Sequence, residues 1–279
     1  MKTNTQVLKR VELGELATEH TEFKVVQNAH MFGILSEKVY KDQIGAIVRE
    51  LCCNAFDAHV EAGIPNTPIE VSCPTSNKPE FVVRDFGYGL SHEDMVTIFT
   101  TYGMSTKSNS NDYIGQLGIG AKSPFGYTDT FNIESNHQGQ KTIYIAQKNS
   151  QGIPELISFG KSYPTEEMGL KITIPVRLSS ISEFRSAIEK QLAYFHPLPL
   201  ITPHIEIAPK PFDVETSEYG IRFQGTAATN RYSYGYSSAY LDPTKIRVLM
   251  GNVVYEINSD MAKTKGIPKV LELSYKTLD

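Results

Sequence analysis

The sequence predicts an α+β fold: a two-layer sandwich with helices on one face of a mixed sheet, followed by a smaller α+β domain. Three observations predict it. Apolar residues recur at helical spacing over 29–62. Strand-like runs then come in series at 130–135, 142–146, 156–159 and 170–176, with no helical pattern between them, whereas alternating βαβ units would interleave the two. After Arg177 the pattern changes to one amphipathic helix and a proline-rich stretch.

The elements follow in order. Residues 1–21 are polar with little periodicity and read as an arm, and Glu22-Phe23-Lys24-Val25-Val26 alternates like a short strand. The helical pattern breaks near Glu37, giving one helix with Met31, Ile34 and Leu35 and a second with Ile44, Ile47, Val48, Leu51 and Ala55. Gly63-Ile64-Pro65 ends the second helix. Residues 69–73 and 81–83 read as strands around a polar loop. Ser91-His92-Glu93-Asp94 has the S-x-x-D form of a helix start. Residues 101–113 are rich in Ser, Thr, Asn and Gly with almost nothing to bury, and the chain at 118–125 starts a further helix.

Residues 181–195 form an amphipathic helix through Phe184, Ile188 and Leu192. Pro197, Pro199, Pro203, Pro209 and Pro211 then crowd one segment, and Tyr232, Tyr234, Tyr236 and Tyr240 lie in a Ser/Gly-rich loop. Residues 245–250 and 253–257 make a hairpin about Gly251-Asn252. The expected organisation is therefore an arm at 1–21, a first domain at 22–178 and an α+β domain at 179–279. The second holds few complete elements, as the front portion of a longer protein would.

Composition narrows the classes. Apolar content of 40% and charged content of 21% are those of a globular protein. A net charge of −4 argues against a nucleic-acid surface. No apolar run reaches membrane-spanning length and the first residues lack a signal-peptide core, so the expected location is the cytoplasm. Cys52, Cys53 and Cys73 show no C-x-x-C spacing and read as core thiols, and the seven histidines are scattered without ligand spacing.

The chemistry lies in three motifs. In Arg49-Glu50-Leu51-Cys52-Cys53-Asn54-Ala55-Phe56-Asp57-Ala58, Glu50, Asn54 and Asp57 stand at i, i+4 and i+7 on one helix face, while Val48, Leu51 and Ala55 turn away. An Asn oxygen suits Mg²⁺, which takes few protein ligands when phosphates supply the rest. A carboxylate one turn away can orient and deprotonate a water against a γ-phosphate. In Arg84-Asp85-Phe86-Gly87-Tyr88-Gly89-Leu90, Asp85 ends a strand and can accept the exocyclic amino proton of adenine, with Gly87 and Gly89 letting backbone approach the ring. In Gly115-Gln116-Leu117-Gly118-Ile119-Gly120-Ala121-Lys122-Ser123 the glycines can expose successive N–H groups before a helix, an anion site to which Lys122 adds charge. The spacing is not that of a Walker A loop, and no βαβ unit surrounds it.

The combination resembles the GHKL ATPases, the family of DNA gyrase B, heat-shock chaperone ATPases, MutL, MORC proteins and histidine kinases. The resemblance implies a Bergerat-type ATP-binding fold followed by a transducer-like domain. It implies Glu50 as general base, Asn54 as the Mg²⁺ ligand and Asp85 as the adenine-specifying residue, with Leu90 covering the base and Asp57 near base and ribose. Gly115, Gln116, Leu117, Gly118, Ile119, Gly120 and Lys122 are the implied phosphate loop. Ser105, Thr106 and Lys107 occupy the ATP-lid position. The family's G-T-x-[IV] strand reads Gly169-Leu170-Lys171-Ile172-Thr173, so its hydroxyl contact is absent or comes from Thr173. ATP and Mg²⁺ are the implied ligands, and an ATP-dependent homodimer the implied assembly. Lys245, Lys263 and Lys265 stand open as second-domain lysines reaching the γ-phosphate.

Arg84-Asp85-Phe86-Gly87, Asp112-Tyr113-Ile114-Gly115 and the run from Lys122 to Phe131 are also similar to the phage RIIA rapid-lysis proteins, as is Gly251-Asn252-Val253-Val254-Tyr255. That family implies lysis control, protection against prophage exclusion, a phage or host protein partner and at most peripheral membrane association. Four functions compete: an ATP-hydrolysing switch, a nucleotide sensor without turnover, a histidine kinase and a topoisomerase-like machine. Glu50 favours the first over the second. No phosphoacceptor helix supports the third, and no strand-cleavage domain the fourth.

Overall fold

In the computed structural model, the described residues are 29–34, 40–102, 120–207, 214–215, 220–222, 246–250, 252–257 and 272–275. Helix α1 (Ala29–Gly33) precedes α2 (Gln43–Glu61), two separate helices as the pattern predicts. Asp42 caps α2, its Oδ1 accepting from Gly45 N at 2.8 Å. Strands β1 (Glu70–Ser72) and β2 (Glu80–Arg84) follow, then β3 (Thr130–His137), β4 (Gln140–Lys148), β5 (Pro154–Pro164) and β6 (Gly169–Pro175). With β7 (Leu200–Thr202) they form one sheet in the order β5-β4-β3-β6-β2-β1-β7. Every neighbouring pair is antiparallel except β1–β7, so the sheet is mixed.

One core lies between this sheet and its helices. Ile47, Val48, Leu51 and Cys52 of α2 pack on Phe81, Val83, Ile133, Ile172 and Ile174 of the sheet. Helix α4 (Ile181–Gln191), beyond the boundary expected near 178, belongs to the same core through Phe184 and Ile188. Leu192, Phe195 and Ile205 continue that packing, and β7 extends the sheet from the proline-rich stretch. All three cysteines are buried, and burial pushes the Cys52 thiol up, in keeping with core thiols.

Two helices depart from the expected form. Ser91 caps the three-residue α3 (His92–Asp94), accepting from Asp94 N, but the chain then winds as a π-helix over Met95–Phe99. The threonines give a reason: Thr97, Thr100 and Thr101 hydroxyls donate to the carbonyls four residues back and compete for the helix's acceptors. The helix expected after the third motif is a 3-10 helix, Gly120–Gly126. Pro124 lies inside it and contributes no backbone N–H to either helical pattern. A second sheet orders β8 (Val214–Glu215), β9 (Gly220–Arg222), β10 (Ile246–Met250), β11 (Val253–Ile257) and β12 (Glu272–Tyr275) as β11-β10-β12-β9-β8. The predicted hairpin is its β10–β11 pair, with Met250 opposite Val253.

Candidate functional site

The polar face of α2 forms as its spacing dictates. Glu50 and Asn54 are half-buried and Asp57 is fully buried. The Glu50 Oε1 accepts from Arg49 Nη2 at 2.9 Å and Nε at 3.2 Å. Cys53 lies beside this face, and burial first, then Asp57 and Glu50, raise its thiol pKa and keep it protonated.

Asp85 reaches the site from the end of β2. Its Oδ1 accepts from Gly87 N at 2.9 Å and from Leu170 N at 3.2 Å, while its own N–H donates to the Leu170 carbonyl at 2.9 Å. The β6 residue at the expected threonine position therefore serves through its backbone, which any side chain allows. Gly169 permits that crossing: its φ is +95°, and a Cβ there would run into the Asp85 carbonyl. Gly87 packs on Ala58 of α2, and Gly89 on Asn136 of β3. Leu90 is partly buried against the core, its N–H donating to Ser135 Oγ at 2.9 Å and its carbonyl accepting from the same hydroxyl at 2.7 Å.

The third motif meets the first at Gly120. A Cβ on Gly120 would lie 2.6 Å from Glu50 Oε2 and 3.3 Å from Glu50 Cβ, so a side chain there would displace the carboxylate. Lys122 does not project into solvent. It is 4% exposed, its Nζ donates to the Thr101 carbonyl at 3.0 Å, and burial lowers its pKa to about 8. The rings of Phe99 and Tyr102 stand 5.7 and 5.8 Å from Nζ, and Tyr102 meets Phe32 of α1. Lys122 thus ties the 3-10 helix to the root of the segment that follows Tyr102.

Of the sequence-predicted residues, Glu50, Asn54 and Asp57 share one face of α2, on which Gly120 seats. Asp85, Gly87, Gly89 and Leu90 form the loop that Ala58, Ser135 and Leu170 hold. Thr173 is not brought to it. Alternation along β6 sends Leu170, Ile172 and Ile174 toward the helices and Thr173 to the other sheet face, opposite Val82 and Asn132. Ser105, Thr106, Lys107, Gly115, Gln116, Leu117, Gly118 and Ile119 lie outside the described residues, as do the arm and Lys245, Lys263 and Lys265.

His59 and Ser135 position the site without any signal in the sequence. His59 is fully buried, with Nδ1 2.9 Å from the Thr67 carbonyl, while Phe86 N donates to Nε2 at 2.8 Å. Nε2 is therefore the acceptor and Nδ1 carries the proton, which fixes a neutral tautomer. Burial lowers the pKa, opposed by the bond to Thr67. The contact to Phe86 spans 27 residues, so periodicity within either element is silent about it.

The donor set suits a magnesium–phosphate ligand. Asn54 offers a hard amide oxygen from the half-buried face of α2, the kind of donor magnesium accepts, and no group of three His, Cys, Asp or Glu converges among the described residues. No described helix is long and apolar enough to cross a membrane.

Residues 43–156, from the first turn of α2 into β5, match the family model of the histidine kinase-, DNA gyrase B- and HSP90-like ATPases. The chaperone protein HtpG of Rickettsia bellii is 27% identical over 128 residues, 38% of this chain and 20% of that protein. HtpG of Rickettsia canadensis is 27% identical over 139 residues, 42% of this chain and 22% of the relative. HtpG of Rickettsia akari is 28% identical over 128 residues, again 38% and 20%. The chain spans about a fifth of the length of these curated relatives. The matches support the GHKL ATPase family for this segment, and with it ATP binding.

Proposed function

We propose that this protein is a Mg²⁺-dependent, ATP-hydrolysing conformational switch of the GHKL type. The observation that carries the reading is the seating of Gly120 on Glu50, which joins the glycine-rich loop to the acidic face of α2. Asp85, oriented by two backbone amides, accepts the adenine amino group, beside Leu90 and Asp57. Asn54 holds Mg²⁺, which neutralises phosphate charge. Glu50 takes the proton of the attacking water. Residues 115–122 cradle the phosphates, and Ser105, Thr106 and Lys107 close over them in an ATP-dependent homodimer. In this reading the domain that builds the site runs to residue 207 rather than 178. The likeness to phage RIIA proteins extends the proposal to lysis control or protection against exclusion in the host cytoplasm, with a phage or host partner and peripheral contact with the inner membrane.

A second reading, a nucleotide sensor with negligible turnover, is favoured by one contact: Arg49 occupies a carboxylate oxygen of Glu50. Calorimetry and phosphate release separate the two. The parent protein binds ATP with Mg²⁺ and refuses GTP, and Asp85→Asn weakens ATP binding by ~1–3 kcal/mol. Glu50→Ala retains binding and loses turnover by ~10²-fold or more. A parent protein that binds ATP and releases no phosphate leaves only the sensor, and a Glu50→Ala protein that releases phosphate at the parental rate removes Glu50 as the base.

A further inference from the structure

A groove of about 590 Å³ opens between the start of α2 and the first turns of α4. Lys41, Arg177 and Lys190 line it from separate parts of the chain, and none of them forms an ion pair among the described residues. The carboxylates of the groove do not answer them. Asp42 caps α2, its Oδ1 accepting from Gly45 N, and Glu183 pairs with none of the cations. Arg177 is held in place without a counter-charge: its Nη2 donates to the Tyr127 carbonyl at 2.6 Å, and its guanidinium lies 4.5 Å from the centre of the Tyr127 ring. Most of its donors are left for another partner. Ser180 adds an independent sign of a ligand. It lines the same groove, is 8% exposed, and stands at the N-cap of the 11-residue α4, where a serine ordinarily accepts from the first turn. Its side chain makes no capping bond, and its hydroxyl has no other partner among the described residues. A buried hydroxyl thus waits beside unpaired cations at the positive end of a helix.

We propose that this groove is a second ligand site, for a small phosphate monoester, with the phosphoryl group among Lys41, Arg177, Lys190 and the Ser180 hydroxyl. A tetrahedral dianion has oxygens enough for donors that converge from several elements, whereas the two oxygens of a carboxylate would leave cations unmatched. The volume is that of a small-molecule site and exceeds what orthophosphate fills, and Ile44 and Tyr127 supply an apolar wall for the organic part. The site is separate from the proposed nucleotide site. Gln43, in its lining, precedes Glu50 by seven residues, ~10 Å along α2, and Asp57 lies farther in the same direction.

The test is calorimetry on the full chain with glycerol 3-phosphate and with orthophosphate, each with and without a saturating non-hydrolysable ATP analogue and Mg²⁺. Glycerol 3-phosphate binds more tightly than orthophosphate, the analogue does not displace it, and added salt weakens it. Ser180→Ala weakens the binding by about tenfold, the worth of one hydrogen bond to a charged group, and Ser180→Thr, which keeps the hydroxyl, restores it. Lys41→Gln combined with Lys190→Gln weakens it by about a hundredfold. Both lysines are exposed, so that variant keeps the parental melting temperature and ATP affinity. No binding of glycerol 3-phosphate to the parent overturns the proposal, as does parental affinity in these variants. Displacement by the ATP analogue assigns the phosphate to the nucleotide site and overturns it too, and orthophosphate bound as tightly as the ester removes the organic ligand. None of these results touches the ATPase reading, which stands or falls on Asp85→Asn and Glu50→Ala.

Discussion

At the scale of single residues, the site depends on side chains that never touch a nucleotide in the proposed mechanism. His59 is the clearest: one ring holds the 85–90 loop to α2 through the Phe86 amide and holds the end of α2 to the Thr67 carbonyl. Neutrality is a condition of that bridge, since a protonated Nε2 cannot accept. The folded-state pKa lies below the ordinary 6.5, so the unfolded chain takes up a proton first as pH falls. The His59 contribution to stability is present above about pH 6.5 and is lost as pH drops from there toward the lowered folded value, by at most about 1.4 kcal/mol per pH unit. Urea melts at pH 7.5 and 5.5 check this against His59→Gln. The parent loses more stability than the variant over that interval, and equal losses would remove His59 from the account.

Among the elements, α2 does two things with one helix. Its apolar face builds the core, and its acidic face builds the site, so the loop and strand ends that touch it are aligned by the same packing. Helix α4 packs beside α2 on the same core. Phe184 meets Phe81 at a tilt and Tyr127 edge-on, both at centroid distances of 5.3 Å, and the Arg177 backbone N–H donates to the Tyr127 hydroxyl at 2.9 Å. The sequence places its boundary before α4 because the composition changes there, but composition does not register what α4 packs on. The consequence is a truncation test. A chain ended after residue 207 melts cooperatively and binds ATP. A chain ended after 178 loses Phe184, Ile188, Leu192 and Phe195 from the core, several kcal/mol at ~2–5 per large apolar side chain, and gives no cooperative transition in circular dichroism. Cooperative melting of the shorter chain would restore the boundary at 178.

For the whole molecule, the proposed switch couples the nucleotide to assembly. Lys122 holds the Thr101 carbonyl, and in the proposed switch that bond is what would link phosphate at the glycine-rich loop to the lid position. Sedimentation with a non-hydrolysable ATP analogue and Mg²⁺ is expected to convert monomer to dimer, and hydrogen exchange over 101–117 is expected to slow in parallel. Only the differential affinity of ATP for the closed state drives that shift, so one unchanged oligomer with unchanged exchange reduces the protein to a static pocket.

By itself, the sequence determined whatever a short window can encode. The 3.6-residue period put Glu50, Asn54 and Asp57 on one face of α2, strand-like runs located β1 to β6, Gly251-Asn252 marked the β10–β11 hairpin, and the order of the three motifs carried the family resemblance. Tertiary structure decided what depends on contacts distant in sequence. It placed α4 and β7 in the first core, gave Asp85 the backbone of Leu170 in place of a threonine hydroxyl, sent Thr173 to the far sheet face, and buried Lys122 on the Thr101 carbonyl. The physical reason is that periodicity reports the faces of one element, whereas the partner of each face is chosen by packing between elements, where a one-residue step along β6 exchanges core for the opposite face.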